Sequence, residues 1–156
     1  MQSFKIIKPI HILTPYVRYY WILEDGADVS VSERTLPTGC IQLVFHRGKR
    51  LLLVGKKESQ PQAFICGQCL NFSDVMSAGK IEMITVVFQP YAARAILQLP
   101  LKFFYGELIA VDAIADLELS ILSRKVIEAD DHETCIRLIE QFLITVFIGL
   151  KAMNII

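Results

Sequence analysis

The sequence predicts an α+β fold in which a β-rich part is followed by a helical part. Short segments of strand-forming residues, separated by turn signals, fill the chain up to Gln89-Pro90, where the periodicity changes. Beyond that point apolar residues recur at helical spacing, and no helix alternates with the strands. This order predicts about seven or eight strands between residues 5 and 90, arranged as a barrel or half-barrel, with two or three helices after them.

The strands are predicted from residue type and from alternation. Residues 16–23 are rich in aromatic side chains, and residues 40–46 place alternate side chains on opposite faces of a strand. Residues 51–54 are expected to return beside 40–46 as a hairpin. Residues 81–88 are β-branched and apolar on both faces, which predicts a central strand. Shorter strands are expected at residues 32–36, 63–68 and 70–77.

Three helices are expected after the strands. The first occupies residues 91–97, and the second ends near residue 129 after a cap at either Asp112 or Asp116. The third covers about 131–150, and its apolar stripe either covers the open face of the barrel or pairs with a second copy of the chain. The residues assigned to this dimer or interdomain surface are Ile139, Phe142, Leu143, Val146 and Leu150.

The composition indicates one apolar domain. The chain has 156 residues, of which 53% are hydrophobic, and its mean hydropathy is +0.44. We expect a single domain with a barrel part at 1–90 and a helical part at 91–156. The longest apolar run, 142–150, is too short to span a bilayer, and the first residues lack the pattern of a signal peptide. A cytoplasmic protein is therefore expected, with its excess apolar surface meeting a partner chain or a further domain.

The charge balance argues against direct binding of nucleic acid. Lys and Arg together number 16, and so do Asp and Glu, whereas a nucleic-acid-binding domain usually carries a basic excess. A local basic cluster is interpreted as the solvated end of a hairpin. Its members are Arg47, Lys49, Arg50, Lys56 and Lys57.

Catalytic and metal motifs are not found. The three histidines lie far apart in the sequence, and neither a phosphate-binding glycine loop nor a nucleophile elbow is present. Cys66 and Cys69 have C-x-x-C spacing, but they end a strand and are expected to be small buried side chains. His46 would need further ligands to hold a metal, and only Glu82 or Gln68 could be offered. We expect no catalytic residue, no metal and no cofactor.

A ligand pocket is predicted inside the strands. Polar side chains placed among apolar ones on barrel strands are typical of a small-molecule site, although aromatic residues there also form ordinary core. The residues expected to line this pocket are Trp21, Gln42, Val44, His46, Gln68 and Thr85.

Three segments carry a resemblance to a known family. Residues 34–48 read RTLPTGCIQLVFHRG, residues 64–68 read FICGQ, and residues 88–101 read FQPYAARAILQLPL. In this order, with an aromatic segment at 19–24 before them, they resemble the N-terminal domain of AraC-type bacterial transcriptional regulators. The resemblance covers about residues 8–145. Thr38 stands where that family usually has Asp, and Gln42 where it often has Glu.

The resemblance implies a cupin-like regulatory domain that senses an effector, forms a homodimer, or does both. Family members continue into helix-turn-helix units that read DNA, and residues 1–156 contain nothing similar, so DNA contact would come only through a domain outside them. Two alternatives remain at this point: a cupin-type metal-binding enzyme, and a ligand-free structural dimerisation domain.

Overall fold

The computed structural model describes residues 2–25, 32–34, 41–48, 50, 52–53, 59–67, 74–76, 80–90, 92, 108–114 and 116–152. Within them the chain is α+β, as the sequence predicts, with antiparallel strands followed by two α-helices. The strands are β1 (Gln2–Ile7), β2 (Val17–Asp25), β3 (Ser32–Arg34), β4 (Gln42–His46), β5 (Leu52–Leu53), β6 (Ala63–Cys66), β7 (Asp74–Met76), β8 (Ile81–Phe88) and β9 (Leu108–Ala110). The helices are α1 (Leu117–Glu128) and α2 (His132–Ala152), with 3₁₀ turns at His11–Leu13 and Val111–Ala113.

The strands form two sheets. Six of them follow the order β1-β2-β8-β4-β6-β9, and the other three follow the order β3-β7-β5. The prediction of a central strand at 81–88 is confirmed, because β8 pairs with β2 on one side and with β4 on the other. The larger sheet is open between β1 and β9 as far as the structure describes it, so a closed barrel stays a prediction.

The two sides of the larger sheet bury different sets of side chains. On the helix side, Leu43, Phe45, Ile84 and Val86 join one large core with α1 and α2. On the opposite side, a smaller cluster consists of Val44, Phe64, Ile81 and Met83. Alternate residues of each strand therefore reach different cores, as the alternation in 40–46 predicts.

The helices agree with the sequence where they are described. Asp116 is the cap of α1, because its carboxylate accepts a hydrogen bond from the backbone N–H of Leu119 at 3.1 Å. The other candidate cap, Asp112, lies exposed in the 3₁₀ turn. The helix predicted at 91–97 falls outside the described residues except for Ala92, which is buried. No helix of the described segments has both the length and the apolarity needed to cross a bilayer.

The stripe on α2 packs within the chain itself. Ile139 and Leu143 are fully buried, and Phe142 and Val146 are partly buried against the same core. Ile139 and Leu143 are therefore not available to a partner, because the core of the chain itself already covers them. The backbone of Leu150 belongs to α2, but its side chain lies outside the described residues.

Exposed apolar side chains lie mostly near the other end of the chain. Phe4 and Ile6 on β1 are more than half exposed, and Ile10 and Ile12 follow them. The sequence interpretation missed β1, which pairs along its whole length with β2. A period-two pattern is present there, with apolar Phe4 and Ile6 alternating with polar residues.

The hairpin predicted between β4 and residues 51–54 is wrong. β4 pairs with β6 and β8, whereas β5 pairs with β7 in the smaller sheet. The chain leaves β4 at Gly48, whose backbone passes close to the start of β8. A Cβ atom there would lie 2.6 Å from the carbonyl oxygen of Lys80 and 2.9 Å from the backbone nitrogen of Glu82. Gly48 thus lets this segment stay against β8 instead of turning back along β4.

Gly48→Ala is expected to destabilise the protein by about 2 kcal/mol, because the added methyl group meets backbone atoms that cannot yield cheaply. Gly149→Ala is the matched control, since a Cβ atom at this helical position meets nothing within 4 Å. That control should leave stability unchanged or raise it by about 0.5 kcal/mol. Urea unfolding measures both, and equal effects of the two substitutions would contradict the close approach at Gly48.

Candidate functional site

The side chain of Arg47, directly after β4, is buried between the sheet and the helices. Only 8% of it is exposed, and its Nε atom donates to Glu82 Oε2 at 3.1 Å. Its Nη1 atom donates to the carbonyl oxygen of Val126 and lies 3.0 Å from Cys135 Sγ. Its Nη2 atom donates to the carbonyl oxygen of Ala129 at 2.7 Å. The interpretation of Arg47 as part of a solvated hairpin end is therefore wrong.

The C-terminal end of α1 explains why the side chain of Arg47 is buried here. The last carbonyl groups of a helix lack partners within the helix and carry the negative end of its dipole. Arg47 supplies both hydrogen-bond donors and a positive charge to the carbonyls of Val126 and Ala129. Burial of the guanidinium is possible because several of its donors are satisfied at once.

Glu82 connects Arg47 to α2 by its contact with His132, which in turn contacts Glu24 on β2. Its Oε1 atom lies 2.8 Å from Nε2 of His132, the first residue of α2. The other ring nitrogen of His132, Nδ1, lies 3.4 Å from Glu24 Oε1. Glu24 and Glu82 stand directly opposite each other in the register of β2 and β8. We call Arg47, Glu82, His132 and Glu24 the ionic cluster.

Five of the six predicted pocket residues lie on the side of the sheet opposite the helices. Trp21, Thr85 and Val44 form one row across β2, β8 and β4. Gln42 and His46 are two positions from Val44 on β4 and therefore share its side. The sixth, Gln68, lies outside the described residues. These positions are compatible with the predicted pocket, which itself stays a prediction.

Two buried polar atoms on this side lack a protein partner among the described residues. They are Nδ1 of His46 and Oγ1 of Thr85, and both residues are fully buried. The other ring nitrogen of His46 lies 2.8 Å from Gln60 Oε1. Burial lowers the pKa of His46, so the ring is neutral at pH 7.

The metal site considered from the sequence is not assembled around His46. Glu82 belongs to the helix side, where its carboxylate contacts Arg47 and His132. His46 reaches the opposite side, where its ring lies 5.7 Å from that of Phe64. The offered partner Gln68 is outside the described residues.

The described cysteines, Cys66 and Cys135, lie in two different environments. Cys135 is buried, and burial raises the pKa of its thiol, which donates to the carbonyl oxygen of Val126. Cys66 is partly buried on β6, with Sγ 4.0 Å from Gln42 Oε1. Cys69 of the C-x-x-C pair lies outside the described residues.

A separate cavity of about 260 Å³ lies between α1 and the start of β6. It contains none of the predicted pocket residues, and its lining is largely polar and solvent-facing. The residues that line it are Pro61, Gln62, Ala63, Asp112, Ser120, Ser123, Arg124, Ile127 and Glu128.

The chain belongs to a protein family described as a domain of unknown function (DUF6597), whose model matches residues 5–110. No curated protein and no solved structure matches the chain. The matched range holds the described pocket residues together with Glu24, Arg47 and Glu82. His132 and both α-helices lie beyond it.

Arg47→Met is expected to lower the free energy of unfolding by about 3 kcal/mol, because it removes a charged donor from Glu82 and from two helix carbonyls in a buried position. Arg50→Met, at an exposed position in the same basic cluster, should change it by less than about 0.5 kcal/mol. In the double variant Arg47→Met/Glu82→Gln the loss should be smaller than the sum of the single losses. Chemical unfolding of these three variants and of Glu82→Gln alone measures the losses, and similar stabilities of the two Arg variants would contradict the buried role of Arg47.

The lowered pKa of His46 predicts a loss of stability in acid. As the pH falls below about 6.5, the unfolded chain takes up a proton at this residue before the folded chain does. The stability difference between wild type and His46→Gln should therefore be constant above that pH. Below it, wild type should lose up to about 1.4 kcal/mol per pH unit relative to the variant. Unfolding between pH 8 and 5 tests this, with the exposed His11→Gln as control; parallel curves for wild type and His46→Gln would contradict it.

Proposed function

We propose that this chain is a non-enzymatic regulatory domain that binds a small effector on the side of the sheet opposite the helices. In this proposal the complete strands form a cupin-like barrel, and the domain acts in the cytoplasm on a DNA-binding domain outside residues 1–156. The support for the second part is the resemblance of residues 34–48, 64–68 and 88–101 to AraC-type regulators.

The observation that carries the proposal is the pair of buried polar atoms, His46 Nδ1 and Thr85 Oγ1. A buried polar atom without a partner costs roughly 1–3 kcal/mol, so a fold that serves only stability would favour apolar side chains there. An effector that hydrogen-bonds to both atoms removes this cost when it binds. Trp21, Val44 and Phe64 supply apolar contact on the same side.

The side chains present favour a neutral effector. His46 is neutral at pH 7, and Thr85 carries no charge. A ligand with hydroxyl or amide groups and a small apolar body fits these groups better than a strongly charged one, because no described counter-charge lies on this side among the predicted pocket residues.

Strands β4 and β8 offer a route from the effector to the helices. β4 carries His46 and is followed at once by Arg47, and β8 carries Thr85 three positions after Glu82. An effector that favours one position of these strands would change the contacts of Arg47 with α1 and of Glu82 with α2. Such a ligand shifts the population between two states by its difference in affinity for them.

A homodimer is part of the proposal, with a surface different from the one the sequence suggested. Ile139 and Leu143 are buried within the chain. Phe4 and Ile6, on an edge strand of the described sheet, are exposed apolar side chains suited to contact with a second copy.

Thr85→Val tests the effector site directly. Because Val has nearly the shape of Thr without the hydroxyl group, the ligand-free variant should be more stable than wild type by about 1 kcal/mol. We would then record thermal unfolding with a panel of sugars, polyols, nucleosides and small amides, which are the neutral classes that these groups favour. At least one class should raise the melting temperature of wild type and leave Thr85→Val unaffected.

Thr145→Val is the control, since its hydroxyl group lies on the exposed side of α2 and bonds to the carbonyl oxygen of Gln141. It should respond to the panel as wild type does. The proposal fails if Thr85→Val is less stable than wild type, or if no compound distinguishes the two Thr variants. The second result would favour the ligand-free dimerisation domain.

A further inference from the structure

Three side chains from three different elements converge on the helix side of the sheet. Glu24 lies on β2, Glu82 on β8, and His132 at the start of α2. One carboxylate oxygen of each Glu and a ring nitrogen of His132 all lie within 4.8 Å of one another. Residues from distant parts of the sequence thus meet at one point, which no sequence motif indicates.

The ligand atoms present an electrostatic conflict that a cation resolves. Glu24 and Glu82 are directly opposite in the strand register, and like charges in such pairs repel. Both ring nitrogens of His132 face a carboxylate oxygen, at 2.8 Å and 3.4 Å. An imidazole nitrogen and two carboxylate oxygens this close together can share one metal ion.

The positive charge of Arg47 compensates only part of the negative charge of Glu24 and Glu82. Its guanidinium is engaged by Glu82 Oε2 and by the carbonyl oxygens at the end of α1. Arg47 also holds the carboxylate of Glu82 in place and leaves Oε1 directed at His132. Orientation of a metal ligand by such a hydrogen bond is a regular property of metal sites in proteins.

We propose that Glu24, Glu82 and His132 bind one divalent transition-metal ion, such as manganese or zinc. Two carboxylates and one imidazole are ligands that these ions accept, with water in the remaining positions. Glu24, Glu82 and Arg47 together carry a net charge of −1, which favours a cation. Glu24 has a side chain that is half exposed, so it can move to complete the coordination.

The bound ion would join β2, β8 and the start of α2. Because the three ligands come from separate elements, an ion bound only by the folded chain would stabilise the packing of α2 on the sheet. This site lies on the side of the sheet opposite His46 and Thr85, so it is spatially separate from the effector site.

The test uses the purified chain and Mn²⁺ as probe, because manganese prefers oxygen and nitrogen ligands to the thiols also present. Loss of the electron paramagnetic resonance signal of free Mn²⁺ measures binding, and thermal unfolding measures the accompanying stabilisation. We expect wild type to bind a single ion, and Glu24→Gln and His132→Gln to bind it at least about tenfold more weakly. Zn²⁺ titration by calorimetry should show the same difference between wild type and the variants.

Glu133→Gln and His11→Gln are the controls, because both residues are exposed and lie outside the three ligands. They should bind Mn²⁺ as wild type does. The proposal is overturned if wild type binds neither Mn²⁺ nor Zn²⁺, or if both ligand variants bind them unchanged. Glu24→Gln decides the matter if circular dichroism shows that His132→Gln does not fold, since Glu24 is half exposed and outside the core.

Discussion

The structure depends on one buried positive charge, the guanidinium of Arg47. It stands where the end of β4, the start of β8 and the ends of two helices meet. A buried charge is stable only when its hydrogen bonds are made, so Glu82, Val126 and Ala129 must keep their positions around it. Lys could not replace it, because a single ammonium group does not reach a carboxylate and two carbonyls in a planar fork. The position of the helices on the sheet is therefore fixed by polar contacts as well as by apolar packing.

Strands β4 and β8 contribute to both the proposed effector site and the ionic cluster, because successive residues of a strand face opposite sides of the sheet. β8 contributes Thr85 to one side and Glu82 to the other, and β4 leads from His46 directly into Arg47. A group that binds on one side of the sheet is therefore only one residue or a few residues along the chain from a group on the other side. A second polar tie exists between β2 and α2, where the hydroxyl of Tyr20 donates to Glu140. Like the contact of Glu82 with His132, it connects the sheet to the long helix α2.

The sequence predicted the features that depend on local pattern. Apolar residues on both faces predicted the central position of β8. An acidic residue before an apolar repeat predicted a cap at Asp112 or Asp116, and the structure shows that Asp116 is the cap. The sequence did not predict the features that depend on contacts between residues distant in the chain. Nothing near Arg47 distinguishes it from Arg50, because the carbonyls that bury it come 79 and 82 positions later. The close approach of Gly48 to the backbone of Lys80 and Glu82 is likewise a contact between residues distant in the sequence, which residue type alone does not predict.

The place of β8 between β2 and β4 sets an order of events during synthesis. Val17 pairs with Phe88, and Gln42 pairs with Val87, so the middle of the sheet cannot close until the ribosome has released β8. Until then the nascent chain presents two strands with unpaired edges, which other chains can join. Such long-range pairing also slows folding once the chain is complete. The edges of β2 and β4 that will pair with β8 are therefore open to contact with other chains until β8 is released.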